Sequence, residues 1–215
     1  MILDSLPAAA TNGRLVTNLT RRPAIRIDGL IVADNRGRGL VLQTMDVVVE
    51  RCAIQGCTGA GIHLVCDASD FYESSGTTKV RIANNTLTGV NQGAVVGSAA
   101  FTRAAIAIAA ELDNQLAPAG SHSQIDLVGN TIRDTARSAI HVGSAFQTNI
   151  IGNVFDNVCT AAAPSSTAPT AHMIWIEKSA ETVITGNTLL LGASRIRTVG
   201  QSNVTGVVVS HNTGF

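Results

Sequence analysis

The stretch IDLVGNTI, residues 125–132, decides the fold. Its apolar residues alternate at Ile125 and Leu127, as in a strand with one buried face, and then meet a Gly-Asn pair before the next apolar position, Ile132. One such stretch marks only a strand and a turn. The same pattern returns in VVVERCAI (47–54), VRIANNTL (80–87), NIIGNVF (149–155), TVITGNTL (182–189) and VVVSHNT (207–213).

The aligned turn positions are Cys52, Asn85, Asn130, Asn153, Asn187 and Asn212, with successive spacings of 33, 45, 23, 34 and 25 residues. Extending backwards, IRIDGLIV (25–32) places Leu30 in register, 22 residues before Cys52. Spacings of 22 to 25 are one coil of a solenoid, and the longer ones are the same coil carrying a lateral loop. The expected fold is all-β, a right-handed, single-stranded parallel β-helix. Asn is expected at the turns because it tolerates a left-handed backbone and because stacked amides can hydrogen-bond from coil to coil.

A second strand follows each turn: GLVLQT (39–44), GIHLV (61–65), AIAIA (105–109), AIHVG (139–143) and MIWIE (173–177). Strict alternation turns Ile62, Leu64, Ile106, Ile108, Ile140, Val142, Ile174 and Ile176 inward. It turns Val41, His63, Ala107, His141 and Trp175 outward in one column, with Gln43, Val65, Ala109, Gly143 and Glu177 in the next.

Composition agrees with a narrow, well-buried solenoid. Hydrophobic residues make up 45%, aromatics only 3% and charged residues 14%, well under the roughly 25% of ordinary soluble domains. Lys+Arg and Asp+Glu are both 15, so the chain has no basic footprint for nucleic acid. No segment is apolar for long enough to span a bilayer, and MILDSLPAAATNGRL has no signal-peptide pattern. Cys52, Cys57, Cys66 and Cys159 lack metal-site spacing and are expected as free, buried thiols; the alternative is one bridge from Cys52 to Cys57 or Cys66. Neither a metal nor a cofactor is expected.

Residues 1–22 are expected to be an irregular N-terminal segment and 23–215 the β-helix. Neither end reads as the polar cap that a solenoid needs, so the β-helix is expected to be part of a longer domain or to have its ends covered by a partner, in one case a homo-oligomer.

On such a scaffold chemistry sits on outward side chains and lateral loops. CDASDFYESSG (66–76) offers Asp67, Asp70 and Glu73 beside Tyr72, and AELDNQ (110–115) places Glu111 one coil on. Neighbouring coils are about 4.8 Å apart, so carboxylates one and two coils apart start at roughly 5 and 10 Å, bracketing the distances used by retaining and inverting glycosidases. Asp67 and Glu73 are the candidate catalytic pair. Arg36, Arg38, His63, Asp70, Tyr72, Glu111 and Trp175 are candidate substrate contacts, the aromatics for sugar faces and the charged groups for hydroxyls.

With those residues in view, Ile25 to about Val90 resembles the β-helical α-1,3-galactosidases of glycoside hydrolase family 110. The likeness rests on NRGRGLVLQT, VVVERCAI, GAGIHLVCDASDFYESSG and VRIANNTL in that order, with Arg36, Gly37, Arg38, Gly39, Asp67, Tyr72, Glu73 and Ser74 at the matching positions. It implies an inverting exo-α-galactosidase, one carboxylate activating water and another protonating the leaving oxygen, and an extracellular or periplasmic location. The chain departs from the family in one respect: the acidic motif resembling A-D-D-A-x-N-x-H-G on an earlier coil has no counterpart in residues 1–35. Three functions therefore stand side by side. These are a glycoside hydrolase or a fragment of one, a non-catalytic carbohydrate-binding or tailspike-like module, and a polysaccharide lyase, each with an oligosaccharide or polysaccharide as partner.

Overall fold

The structure is a computed structural model that describes residues 22–69, 73–93, 104–161, 172–190 and 198–215. These residues form a parallel β-helix, with three parallel sheets running along the solenoid and no α-helix among them. The first sheet stacks Ile25–Asp28, Val47–Glu50, Thr78–Ala83, His122–Val128, Ala145–Ile151, Ala180–Thr185 and Thr205–Ser210. The second stacks Ile31–Ala33, Ala53–Gln55, Thr86–Thr88, Thr131–Arg133, Val154–Asp156 and Thr188–Leu189. The third stacks Leu40–Leu42, Ile62–Ala68, Ala104–Leu112, Ser138–Gly143, Ile174–Glu177 and Val199–Ser202.

The coil therefore has three strands where the repeat pattern suggested two. VVVERCAI breaks at Arg51 and Cys52 into Val47–Glu50 and Ala53–Gln55, so the next apolar position of each repeat lies on a short strand of its own. Three residues are too few for an alternation to stand out in sequence.

The turn between the first two sheets is built by a division of labour. The left-handed residue is not the Asn but its predecessor: Arg51, Asn84, Gly129, Gly152, Gly186 and His211 have φ between 52° and 65°. This corrects the expectation that Asn itself takes the strained conformation. The Asn residues instead form a buried ladder. Asn130 donates from its backbone N and Nδ2 to Asn153 Oδ1 at 2.9 and 3.0 Å, and from Nδ2 to Ile82 O at 2.9 Å. Asn85, Asn153 and Asn187 repeat the arrangement toward Asn130, Asn187 and Asn212. Cys52 ends the ladder, since its N–H reaches Asn85 Oδ1 but its thiol cannot pass the pattern on.

Inside, the eight residues turned inward by alternation are all fully buried. Each such Ile or Leu contributes roughly 1.5–3 kcal/mol through burial. The four cysteines are free and buried, and burial pushes the Cys159 thiol up to about 12.

Every long connection enters or leaves the third sheet: 69–77, 89–103, 113–121, 157–173 and 190–198. That sheet differs from the other two in being covered on its outer face as well.

Candidate functional site

The outer face of the third sheet carries His63, Asp67, Glu111, His141, Trp175 and Glu177. Parallel register aligns Val41, His63, Ala107, His141, Trp175 and Gly200 in one row, as the alternation requires. Outward does not mean exposed, however: His63, Ala107, His141 and Trp175 are all at most 4% accessible. One cover is the return of the third coil. Gln115–Leu116 pairs antiparallel with Glu111 and Leu112, Ser144 Oγ donates to Ala110 O and Ala117 O, and Leu116 packs against Gly143. Lys178 Nζ donates to Leu116 O at 2.8 Å, pinning this return to the fifth coil. Between the two lies a cleft of about 620 Å³ walled by Leu112, Leu116, Ala117 and Pro118, with Asp113 and Lys178 at its polar side.

Three acidic residues occupy neighbouring backbone positions at the end of strand Ile62–Ala68. Asp67 and Glu111 are register partners on adjacent strands, and Glu73 pairs with Asp67 through backbone hydrogen bonds of 3.0 and 2.6 Å. Glu73 is exposed and accepts from Gln43 Nε2 at 2.9 Å; Asp67 is half-buried and accepts from Ser69 N at 2.9 Å. No group of three His, Cys, Asp or Glu able to hold a metal ion occurs among the described residues.

Arg38 joins the face by placing Nη1 3.0 Å from His63 Nδ1. A guanidinium only donates, so Nδ1 is the acceptor and the His63 proton sits on Nε2. That nitrogen is buried with no partner among the described residues. Burial, reinforced by the Arg38 charge and by His122 and His141, pushes the His63 pKa down to about 3. His63 is thus a neutral, fixed donor and not a proton shuttle.

Two coils further on, His141 Nε2 lies 2.9 Å from Glu177 Oε1. Burial alone would raise the Glu177 pKa; the His141 hydrogen bond and charge outweigh it, and Trp175 and Lys178 add to the lowering. The Trp175 Nε1 is buried and has no hydrogen-bond partner among the described residues. One face of the Trp175 ring is taken by His172, stacked at 5.0 Å. Gly200 makes room for this stack, because a Cβ there would overlap the His172 imidazole and come within 2.5 Å of Trp175 Cε3. Gly200→Ala should therefore cost about 1–3 kcal/mol of stability. Trp175 is the chain's only tryptophan, so the variant should also shift the intrinsic fluorescence; an unchanged spectrum and melting temperature would contradict the packing.

Of the residues picked from sequence, Arg38, His63, Asp67, Glu73, Glu111 and Trp175 share this face. Arg36 does not: it is exposed at the preceding turn, where its carbonyl accepts from the Thr58 hydroxyl. Asp70 and Tyr72 lie outside the described residues. Gln43 and the His141–Glu177 pair were not singled out, although the two outward rows already set His141 diagonally beside Glu177.

No protein-family profile and no curated protein matches the chain. Among solved structures, it is similar to one from Parabacteroides merdae ATCC 43184, provisionally assigned as a glycosyl hydrolase. The likeness is at 14% sequence identity over 84% of this chain and 81% of that one, with a TM-score of 0.43.

Proposed function

We propose that this chain is a carbohydrate-active β-helix protein, a glycoside hydrolase of α-galactosidase type or a fragment of one, working on the outer face of its third sheet. The observation that carries the reading is the convergence of Asp67, Glu73 and Glu111 there, although they come from two coils and a loop. Positions one and two strands apart start at about 5 and 10 Å, which brackets the roughly 6.5–9.5 Å that an inverting pair of carboxyl groups uses. In this reading Asp67 and Glu73 are the reacting pair, one activating water and the other protonating the leaving oxygen. Glu111 and the exposed Arg38 contact sugar hydroxyls, and the neutral, buried His63 holds the Arg38 guanidinium in place. The stretch NRGRGLVLQT and the acidic loop, which carry the resemblance to the α-galactosidases, meet at this face through the Gln43–Glu73 contact.

The test is turnover of nitrophenyl α-galactosides and blood-group-type oligosaccharides by the wild type, Asp67→Asn, Glu73→Gln and Glu111→Gln. Loss of a general acid or base should lower kcat by about 10²–10⁴. No turnover by the wild type, or full activity in both Asp67→Asn and Glu73→Gln, would remove the hydrolytic reading. A second reading, a non-catalytic glycan-binding module, is favoured by the way Ser69 and Gln43 already hold Asp67 and Glu73 as acceptors. It predicts glycan binding without turnover.

A further inference from the structure

A column of left-handed residues runs through the first sheet. Asp46, Lys79, Gln124, Gln147 and Glu181 all have φ between 52° and 57°, and Gly206 has 63°. These residues occupy one position in successive coils. Register pairs Ser123 with Thr78 and Phe146, and Ile125 with Val80 and Thr148, passing over the residue between them each time. The same gap separates the pairs Phe146–Ala180 and Thr148–Thr182, and then Ala180–Thr205 and Thr182–Val207. A column of left-handed residues passed over by the pairing is a stacked kink, at which each strand changes direction. For residues other than glycine the conformation is unfavourable, yet five coils in succession keep it.

Beside that column the fourth to seventh coils form a groove of about 490 Å³, within the range of ligand sites, lined by Gln124, Asp126, Gln147, Asn149, Glu181 and Gly206. Two amide–carboxylate pairs bridge its coils: Asn149 Nδ2 donates to Asp126 Oδ1 at 2.9 Å, and Gln147 Nε2 to Glu181 Oε2 at 3.3 Å. Each pair retains a second amide N–H, an amide oxygen and a second carboxylate oxygen without partners among the described residues. The Gln124 amide likewise has none among them.

We propose that this groove is a second, non-catalytic binding site for a neutral oligosaccharide lying across the coils. Every sugar hydroxyl is at once donor and acceptor, so neighbouring hydroxyls match an amide N–H beside a carboxylate or amide oxygen. Charge selects among glycans. The lining contains two carboxylates and no cation, which disfavours uronates and sulfated sugars. A single divalent cation is a poorer occupant, because Asp126 and Glu181 are two coils, or about 10 Å, apart while such an ion binds oxygen at about 2.0–2.6 Å. The groove draws nothing from the carboxylates of the third sheet, so its fate is separable from that of the hydrolytic reading.

The experiment is a titration of the full chain, followed by backbone amide shifts and calorimetry. Cellohexaose, maltohexaose, β-1,4-galactohexaose and α-1,4-hexagalacturonate are the ligands. At least one neutral hexasaccharide should bind and shift the amides of residues 124–126, 147–149 and 181–183, with hexagalacturonate at least tenfold weaker. The double variant Gln147→Ala/Asn149→Ala should weaken binding at least tenfold with an unchanged melting temperature, since neither side chain is buried, whereas Asp67→Asn/Glu73→Gln should leave binding intact. Failure of all three neutral hexasaccharides to bind, preference for hexagalacturonate, or binding that survives the groove variant would each overturn the proposal. Loss of binding in the third-sheet variant alone would overturn it too.

Discussion

Asn153→Ala is expected to lower the stability of the chain by about 3–9 kcal/mol, enough to unfold a marginal domain. The figure follows from the groups left behind. Asn153 Oδ1 is the acceptor for both the backbone N–H and the side-chain amide of Asn130, and its own Nδ2 serves Leu127 O at 2.9 Å. Alanine would strand these three groups in a region closed to water, since Asn130 and Asn153 are both fully buried. A buried polar group that loses its partner costs about 1–3 kcal/mol. The matched control is Asn212→Ala, which removes the same kind of acceptor from Asn187 at a half-buried rung, where water can replace it. Urea midpoints should therefore fall far more for Asn153→Ala than for Asn212→Ala. Equal, small losses would mean that the ladder is ornamental.

The second large effect is acid sensitivity. His63 is held down to about 3 by burial, Arg38 and the neighbouring imidazoles. His122 is held down to about 4 by burial, against the pull of the Ala109 backbone, and accepts on Nδ1 from the Thr77 N–H at 3.1 Å. In the unfolded chain both titrate near 6.5, so below that pH the unfolded state binds protons that the folded state refuses. The stabilisation is complete above about pH 6.5 and is lost as pH falls toward 4 and then 3. With both imidazoles contributing, the slope is about 2.7 kcal/mol per pH unit, or about 5 kcal/mol between pH 6.5 and 4.5. Glu177 acts in a lower window, its own contribution being lost only below about its ordinary carboxylate range. Melting temperatures measured from pH 7 to 4.5 should drop steeply in the wild type. His63→Gln and His122→Gln should each remove about half of the slope, and a flat wild-type profile would contradict the assigned environments.

How much of this was legible in sequence depends on which interactions are periodic. The Asn register, the inward column from Ile62 to Ile176 and the outward row from Val41 to Trp175 follow from repeat length and alternation alone, and the structure keeps them all. The short second sheet escaped notice because three residues carry no period. The left-handed turn residue was misassigned by one place, since Asn tolerates that conformation as glycine does and only coordinates separate the two roles. The outward row was read as accessible because alternation reports direction and not cover. What buries it, such as the Ala110–Ala117 return and His172 on Trp175, comes from aperiodic segments. The carboxylate cluster was half legible: register placed Glu111 beside Asp67, but only the loop's backbone pairing brings Glu73 back to them.

The whole account rests on coils stacking in register around the buried asparagines. The direct measurement is a nuclear Overhauser spectrum of asparagine-labelled protein, read for contacts among side-chain and backbone amides of Asn85, Asn130, Asn153, Asn187 and Asn212. An unbroken relay of contacts linking each to the next, across sequence separations of 45, 23, 34 and 25 residues, is the predicted result. Five isolated amides, exchanging with water at the rate of free asparagine, would contradict it.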